Sequence, residues 1–313
     1  MEAVLECCSG LDVHRDTVVA CVLKGPQNGK VESTTRTFST LPYGLEELRK
    51  WLESQECRHA AMESTGVYWQ PVQQVLEGAF DSTMVLLVVN ARHMRNVPGR
   101  KTDMKDAEWI ASLLRAGLLH GSFIPSRPVR DLREFTRYRK TQVETISSQK
   151  NRIEKLLQSA GIKLSTFLSD VFGVSGRAIL EVLARDGRVE PHKVQDLLKK
   201  RLKVKQEDVA LALTGYLSRS QQRLLTMELE QLQSMETHLR TIEEEIQVQL
   251  TQFKRQVELL DGIPGIDMVA AAAILGEIGT ELGAFPSAQH LCSWAGLAPG
   301  NHESAGKKSP FEP

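Results

Sequence analysis

The stretch CCSGLDVHRDTVVACVLK, residues 7–24, decides the fold of this chain. It is rich in Val, Leu and Cys and predicts two strands, at residues 4–13 and 17–24. The sequence GPQNG at residues 25–29 predicts a tight turn, and the alternating residues 31–38 predict a third strand. Consecutive strands joined by short turns pair antiparallel, so the chain is expected to begin with a three-stranded meander.

Helices and strands are then predicted to alternate. Apolar residues at helical spacing predict helices at residues 41–54, 69–80 and 103–116, while apolar runs at residues 58–63 and 84–90 predict two more strands. Crossovers through a helix make strands parallel and are right-handed. The expected product is one mixed sheet with helices packed on it, which is the layout of a ribonuclease-H-like, or RuvC-like, α/β fold.

The second half of the chain is predicted to be helical. Residues 129–160 and 217–260 carry apolar positions three, four and seven apart over many turns. This spacing favours a coiled coil or a helical hairpin, and a helix packed inside one chain is the alternative. Short helices are expected at residues 161–215.

A third region, residues 258–280, resembles a helix-hairpin-helix unit. Gly262 and Gly265 stand in a turn between two predicted helices, and backbone N–H groups at such a turn can contact a DNA phosphate. A helix hairpin used only for packing is the alternative. We therefore predict three domains, at residues 1–125, 126–257 and 258–313.

The charges of the 313-residue chain sum to zero but are unevenly distributed. Residues 91–160 hold 15 Lys and Arg against 7 Asp and Glu, a net of +8. We predict that this block contacts a polyanion; a solvated helix face is the alternative. The basic residues expected to bind nucleic acid are Arg92, Arg95, Arg100, Lys101, Arg127, Arg130, Arg133, Arg137, Arg139 and Lys140.

Composition and motifs argue against several classes of protein. No run approaches the roughly 18 apolar residues of a membrane span, and no signal segment opens the chain. Neither a phosphate loop nor a dinucleotide fingerprint is present, so no nucleotide cofactor is expected. The odd number of cysteines, five, predicts free thiols in a reducing cytoplasm rather than disulfides or a zinc site.

Four acidic residues stand at the ends of predicted elements. Asp12 and Glu63 end two strands that are expected to be parallel neighbours, and Asp103 and Asp106 open a helix on one of its faces. Converging carboxylates need a cation, and Mg²⁺ prefers oxygen ligands; two such ions can clamp both reacting oxygens of a phosphodiester. Helix capping is the alternative for Asp103 and Asp106.

These motifs resemble those of the DEDD-type insertion-sequence transposases of the IS110 and IS1111 type, also called bridge-RNA-guided recombinases. The motifs are GLDVH at residues 10–14, MESTG at 62–66 and RKTDMKDAEWIA at 100–111. Near the C-terminus, IPGIDMVAAAAILGEIG at residues 263–279 and SWAGLAPGNHESAGKKS at 293–309 resemble the second domain of that family. The resemblance covers nearly the whole chain.

The resemblance implies a RuvC-like domain whose Asp12, Glu63, Asp103 and Asp106 bind Mg²⁺, and a C-terminal domain whose nucleophile is Ser304. It also implies donor and target DNA as substrates and a non-coding guide RNA. Lys307 and Lys308 would hold phosphates. Chains of the family continue further past this serine, so the sequence is interpreted as C-terminally truncated.

The long helices predict a homodimer or a homotetramer, and a nucleoid-associated protein in the cytoplasm is expected. Two other functions stay open. The first is a RuvC-like nuclease or junction resolvase that needs only the four acidic residues. The second is an inactive, truncated protein that binds nucleic acid without cutting it.

Overall fold

The computed structural model describes residues 3–90, 106–198, 206–297, 303–304 and 307–308. The chain divides into two compact units, residues 1–124 and 125–313. The first unit is a sheet with helices packed on it, and the second is mainly helical. Within the described ranges, no helix is long and apolar enough to cross a membrane.

The first unit has the predicted order of three strands, helix, strand, helix, strand and helix. Its elements are β1 (Cys7–Val13), β2 (Thr17–Lys24), β3 (Glu32–Ser39), α1 (Pro42–Ser54), β4 (His59–Glu63), α2 (Trp69–Leu76), β5 (Val85–Val89) and α3 (Asp106–Arg115). The largest difference from the prediction is the end of α2, because Gly78 follows it and Phe80 has a positive φ of 52° that no α-helix accommodates.

The five strands form one mixed sheet in the order β3-β2-β1-β4-β5. Strands β1, β2 and β3 pair antiparallel, whereas β4 is parallel to both β1 and β5. The predicted ribonuclease-H-like arrangement is confirmed. Helices cover both faces of the sheet, so both faces are apolar. Successive side chains along each strand alternate between the two faces.

The two faces have separate cores. On one face, Leu11 and Met62 pack with Leu48 of α1 and Leu76 of α2. On the other face, strand residues pack directly on α3. Glycine is required at position 10, because a Cβ there would lie 2.1 Å from the carbonyl oxygen of Ala107 and 2.3 Å from the amide nitrogen of Ala111.

The second unit contains two long helices with shorter ones between and after them. Its elements are α4 (Arg127–Ser159), α5 (Val174–Asp186), α6 (Val194–Leu197), α7 (Gln206–Ala212), α8 (Arg219–Leu250), α9 (Lys254–Asp261), α10 (Met268–Ile278), α11 (Ala288–Trp294), β6 (Glu303–Ser304) and β7 (Lys307–Lys308).

Helices α4 and α8 form an antiparallel pair within the chain. Arg139 of α4 bonds Glu243 of α8, and Gln149 bonds the carbonyl of Glu228 at 3.1 Å. The residue number falls on α8 as it rises on α4, which fixes the opposite directions. The apolar stripes predicted for residues 129–160 and 217–260 therefore pack on each other in one hairpin.

Each end of this helical pair has its own apolar core. Ile153 and Leu157 pack with the short helices between α4 and α8, while Val129 and Leu132 pack with α8, α9 and α10. The helical run predicted for residues 217–260 is observed as α8 and α9, which a tighter 3₁₀ turn at Thr251–Phe253 joins. Phe253 of this turn is buried in the second core.

All five cysteines are free, which confirms the prediction of free thiols. Cys7 and Cys8 are neighbours on β1, yet their thiols differ in acidity. A hydrogen bond from Cys57 lowers the pKa of Cys7 to about 7, whereas burial raises the pKa of Cys8 to about 12. The difference follows from the opposite faces on which adjacent strand residues lie.

Candidate active site

Asp12 and Glu63 occupy matching positions on neighbouring parallel strands. Strand β1 pairs with β4 up to Leu11, which lies opposite Met62, and Asp12 and Glu63 are the next residue on each strand. The structure therefore brings these two predicted site residues together where β1 and β4 end. We call this place, defined by Asp12 and Glu63, the acidic edge.

Both carboxylates belong to the face of the sheet that carries α3. Cys8 and Ala61 lie in the apolar cluster formed with α3. Asp12 is four residues after Cys8 and Glu63 is two residues after Ala61. Since side chains alternate between faces, residues an even number apart on one strand share a face.

Helix α3 begins on the side of the acidic edge. The Cys8 thiol donates to the carbonyl oxygen of Ala111 at 3.4 Å, whereas Gly10 lies against the carbonyl of Ala107. Contacts therefore move towards the start of α3 as β1 runs towards its end. Asp106, the first residue of α3, is exposed and lies at the end of the helix that faces this edge.

Each carboxylate at the acidic edge has a local hydrogen-bonding partner. His14 Nε2 lies 3.1 Å from Asp12 Oδ2, and the Thr65 hydroxyl donates to Glu63 Oε1 at 2.7 Å. The Asp12 side chain is 24% exposed, and Glu63 is half-buried. A carboxylate accepts about four hydrogen bonds, so both groups keep acceptor capacity for a cation.

The donor set of the acidic edge fits a hard divalent cation. Carboxylate oxygens are the protein ligands that Mg²⁺ uses most. Among the residues that the structure describes, no group of three or more His, Cys, Asp or Glu side chains is already arranged to hold a metal. Five predicted residues lie outside the described ranges, namely Asp103, Arg92, Arg95, Arg100 and Lys101.

Comparison with protein families connects this geometry with a function. Residues 9–162 match a family model described as a transposase of the DEDD type of IS110, and residues 257–311 match the model of the transposase IS116/IS110/IS902 family. The two matches cover about two thirds of the chain. The chain belongs to the IS110 family of transposases. This transposase is accordingly an enzyme that acts on DNA.

Two further comparisons add little to that assignment. The structure of RuvC from Thermus thermophilus is similar over 37% of this chain and 99% of its own, with 12% identity and a TM-score of 0.28. The strand order and directions given above identify the ribonuclease-H-like fold without it. No curated protein sequence matches the transposase.

The predicted nucleophile of the transposase lies in a short two-stranded ladder. Ser304 in β6 pairs antiparallel with Lys307 in β7, and Glu303 pairs with Lys308. The backbone thus places the predicted serine opposite one of the two lysines that were predicted to hold phosphate. Ser304 belongs to the second unit, and the acidic edge belongs to the first.

Three of the predicted nucleic-acid-binding arginines make ion pairs within the transposase. Arg133 donates to the carbonyl oxygens of Gly276 and Glu277 at 2.7 and 2.8 Å, and Arg137 forms two bonds with the Glu277 carboxylate. Arg139 binds Glu243 through two nitrogens. These arginines hold α10 and α8 against α4, a role that the charge count did not reveal.

The environment of these groups shifts their acidity. The Arg137 guanidinium lowers the pKa of Glu277, and burial lowers the pKa of Arg133. Of the other predicted residues on α4, Arg127 and Lys140 are exposed, and Arg130 donates to the carbonyl of Pro125 at 3.0 Å. The α10 partner lies about 140 positions further along the sequence, so spacing on α4 gave no signal of it.

The predicted helix-hairpin-helix segment is formed by α9, a turn and α10. Gly262 donates its N–H to the Glu258 carbonyl and so continues the last turn of α9. Gly265 has φ +90°, with open space around it, which suits the turn. Asp267 caps α10 by accepting from the Ala270 N–H at 2.8 Å. The segment also packs on α4 and α8.

Proposed function

We propose that this transposase cuts and rejoins DNA at the acidic edge, with Mg²⁺ held by Asp12, Glu63, Asp103 and Asp106. The observation that supports this most directly is the matched position of Asp12 and Glu63 on two parallel strands, on the face covered by α3. When bound, Mg²⁺ would stabilise the charge on the attacking and leaving oxygens of the phosphodiester.

The neighbours of the two carboxylates support their role as ligands. Two adjacent carboxylates repel each other unless a proton or a cation neutralises them. The Thr65 hydroxyl bonds only one oxygen of Glu63, and His14 lies against one oxygen of Asp12. Such bonds orient a carboxylate and leave its second oxygen for a ligand, as partners behind metal ligands generally do.

Ser304 is the proposed nucleophile. Its hydroxyl oxygen would attack the DNA phosphorus, form a phosphoserine ester and release a 3′ hydroxyl, which keeps the bond energy for rejoining. The ladder that pairs Ser304 with Lys307 supports this assignment, because a cation opposite the serine suits a phosphate. Lys308 and the backbone of Gly262 and Gly265 are proposed as further phosphate contacts.

The proposal includes a non-coding guide RNA, which the family resemblance supports. Exposed residues of α4, Arg127 and Lys140, are proposed to bind donor DNA, target DNA or the guide. We also propose a homodimer or a homotetramer. Leu224, Met227 and Val248 of α8 are exposed, which favours association through this helix.

Trapping of a covalent adduct tests the proposal. The full chain would be mixed with the RNA encoded beside it, supercoiled donor and target DNA and Mg²⁺, and the products separated on a denaturing gel. We expect a protein–DNA adduct from the wild type and none from Ser304→Ala or Asp12→Asn. Ser293→Ala is the matched control for the serine, because Ser293 is an exposed serine of the same region.

The same gel distinguishes the other functions. DNA cleavage that needs Asp12 but persists in Ser304→Ala would identify a RuvC-like nuclease instead. Salt-sensitive DNA binding without any cleavage or adduct, unchanged in Asp12→Asn and Glu63→Gln, would identify a protein that only binds nucleic acid.

A further inference from the structure

An exposed aromatic loop follows the acidic edge directly. Residues 64–68 connect Glu63, the last residue of β4, with α2. In this loop Val67 is 63% exposed and Tyr68 is 42% exposed. These exposed side chains directly follow a carboxylate of the proposed active site.

The loop is held in a defined conformation. The Ser64 N–H donates to the Val89 carbonyl of β5 at 2.9 Å, and Thr65 bonds Glu63 itself. Gly66 has a φ of +56°, which residues with a side chain rarely adopt. The loop is therefore tied to the sheet on one side and to the carboxylate on the other.

The Tyr68 ring rests on Gly66. A Cβ built on Gly66 would lie 3.7 Å from Cδ2 and Cε2 of that ring, which is ordinary van der Waals contact. Helix α2 fixes the other end, because Val72 and Leu76 are fully buried and the Gln70 N–H donates to the Val67 carbonyl. The ring thus packs on Gly66, while the residue as a whole remains 42% exposed.

Capping of α2 does not account for a tyrosine at position 68. Tyr68 is the N-cap residue of α2 and makes no side-chain hydrogen bond to the helix. Ser, Thr, Asp and Asn are preferred at such positions because their oxygens bond the free N–H groups of the first turn. The side chain of Tyr68 therefore takes no part in capping α2.

We propose that residues 64–68 form a binding site for an unpaired base of the DNA strand, with the ring of Tyr68 as the stacking surface. The inference rests on the proposed function, since it assumes that the acidic edge cuts DNA. Stacking on an aromatic ring accepts any base, because every base has a π-face. The site would therefore hold the strand without reading its sequence.

The length of the loop limits where that base can lie. Tyr68 is five positions after Glu63, and an extended chain spans at most about 3.5 Å per position, or about 18 Å in total. A base step along a DNA strand is about 3.4 Å. The stacked base is therefore expected within about five nucleotides of the cut phosphate.

Fluorescence of a base analogue tests the proposal without cleavage. Single-stranded DNA with one 2-aminopurine and a dye at its end would be titrated with the full chain in metal-free buffer. A second strand, with an abasic site in place of the 2-aminopurine, would be followed by the anisotropy of the dye. We expect wild type and Tyr68→Phe to quench the fluorescence, and Tyr68→Ala to bind about tenfold more weakly. The abasic site should weaken the wild type by a similar factor and leave Tyr68→Ala unchanged.

Controls separate this inference from the proposed function. Tyr216→Ala removes a tyrosine of the second unit that is 73% exposed and should leave quenching unchanged. The inference would be overturned if wild type and Tyr68→Ala quenched the fluorescence equally, or if the wild type did not quench it. Quenching with RNA but not with DNA would also overturn it. Failure of the proposed function would be seen separately, as the absence of Asp12-dependent cleavage. Melting temperatures of the Tyr68 variants confirm that each is folded.

Discussion

The acidic edge of the first unit and helix α4 of the second unit both carry clustered like charges, but the two clusters differ in how far the fold neutralises them. On α4, Arg133 and Arg137 are neutralised by the end of α10 and its Glu277. At the acidic edge, Asp12 and Glu63 have only His14 and Thr65 as partners among the residues that the structure describes. A like-charge cluster indicates a ligand only where the fold leaves the charges unneutralised.

The largest expected effect is on catalysis. Asp12→Asn and Glu63→Gln should each lower Mg²⁺-dependent DNA cleavage by about 10³-fold, because stabilisation by the metal is worth several kcal/mol and each ~1.4 kcal/mol is tenfold. Cleavage of a labelled DNA substrate measures the effect. Asp16→Asn is the control, since Asp16 is 84% exposed and its ion pair with Arg15, at 3.7 Å, lies on the surface. Equal activity of Asp12→Asn and Asp16→Asn would contradict a catalytic role for Asp12.

The next effect concerns the packing that places α3 beside the acidic edge. Gly10→Ala should lower the free energy of unfolding of the first unit by about 3 kcal/mol, because its Cβ would overlap the α3 backbone. Three of the four tryptophans belong to this unit, so tryptophan fluorescence in urea reports it. Gly78→Ala, whose Cβ would be 3.8 Å from its nearest neighbour, should change little. Similar losses for both variants would contradict the packing.

A smaller effect separates the two arginines that meet α10. Arg133→Ala should cost about 3 kcal/mol of stability, because its 19% exposed side chain bonds two carbonyl oxygens. Arg137→Ala should cost about 1 kcal/mol or less, because that side chain is 64% exposed. Urea unfolding followed by the helical circular dichroism signal compares them. A larger loss for Arg137→Ala would show that the surface pair, not the half-buried one, holds α10.

The smallest effect tests which basic residues of α4 contact nucleic acid. Lys140→Ala should reduce the slope of log affinity against log salt by about 1, because one phosphate contact is lost. Arg137→Ala should leave that slope unchanged, since its guanidinium already bonds Glu277. Binding titrations with duplex DNA at several salt concentrations measure both. Equal slopes for the two variants would contradict the distinction between paired and exposed cations.

Local periodicity was sufficient to predict most of the first unit. The alternation of Val, Leu and Cys predicts β1 and β2, and the right-handed crossover rule then makes β4 the parallel neighbour of β1. The proximity of Asp12 and Glu63 follows from these two steps alone. The positions of these two acids could be predicted without knowing any long-range contact, because the apolar pattern within each strand sets its register in the sheet.

The second unit could be predicted only in part, because its decisive contacts are remote. Nothing near Arg133 on α4 indicates that it bonds the end of α10, 143 residues away. The 3₁₀ turn at Thr251–Phe253 contains no Gly or Pro that would have indicated it in the sequence. The Glu63–Thr65 contact is local, but which donor bonds which oxygen depends on the loop conformation.

Metal-dependent stabilisation tests the central claim, that the acidic edge is a cation site, most directly. The melting temperature of the full chain would be measured against Mg²⁺ concentration, without nucleic acid, for the wild type, Asp12→Asn and Asp16→Asn. A ligand at 100 times its Kd stabilises the state that binds it by about 2.7 kcal/mol. We predict a rise for the wild type and Asp16→Asn and none for Asp12→Asn; the same rise in all three, or none in any, would contradict the claim.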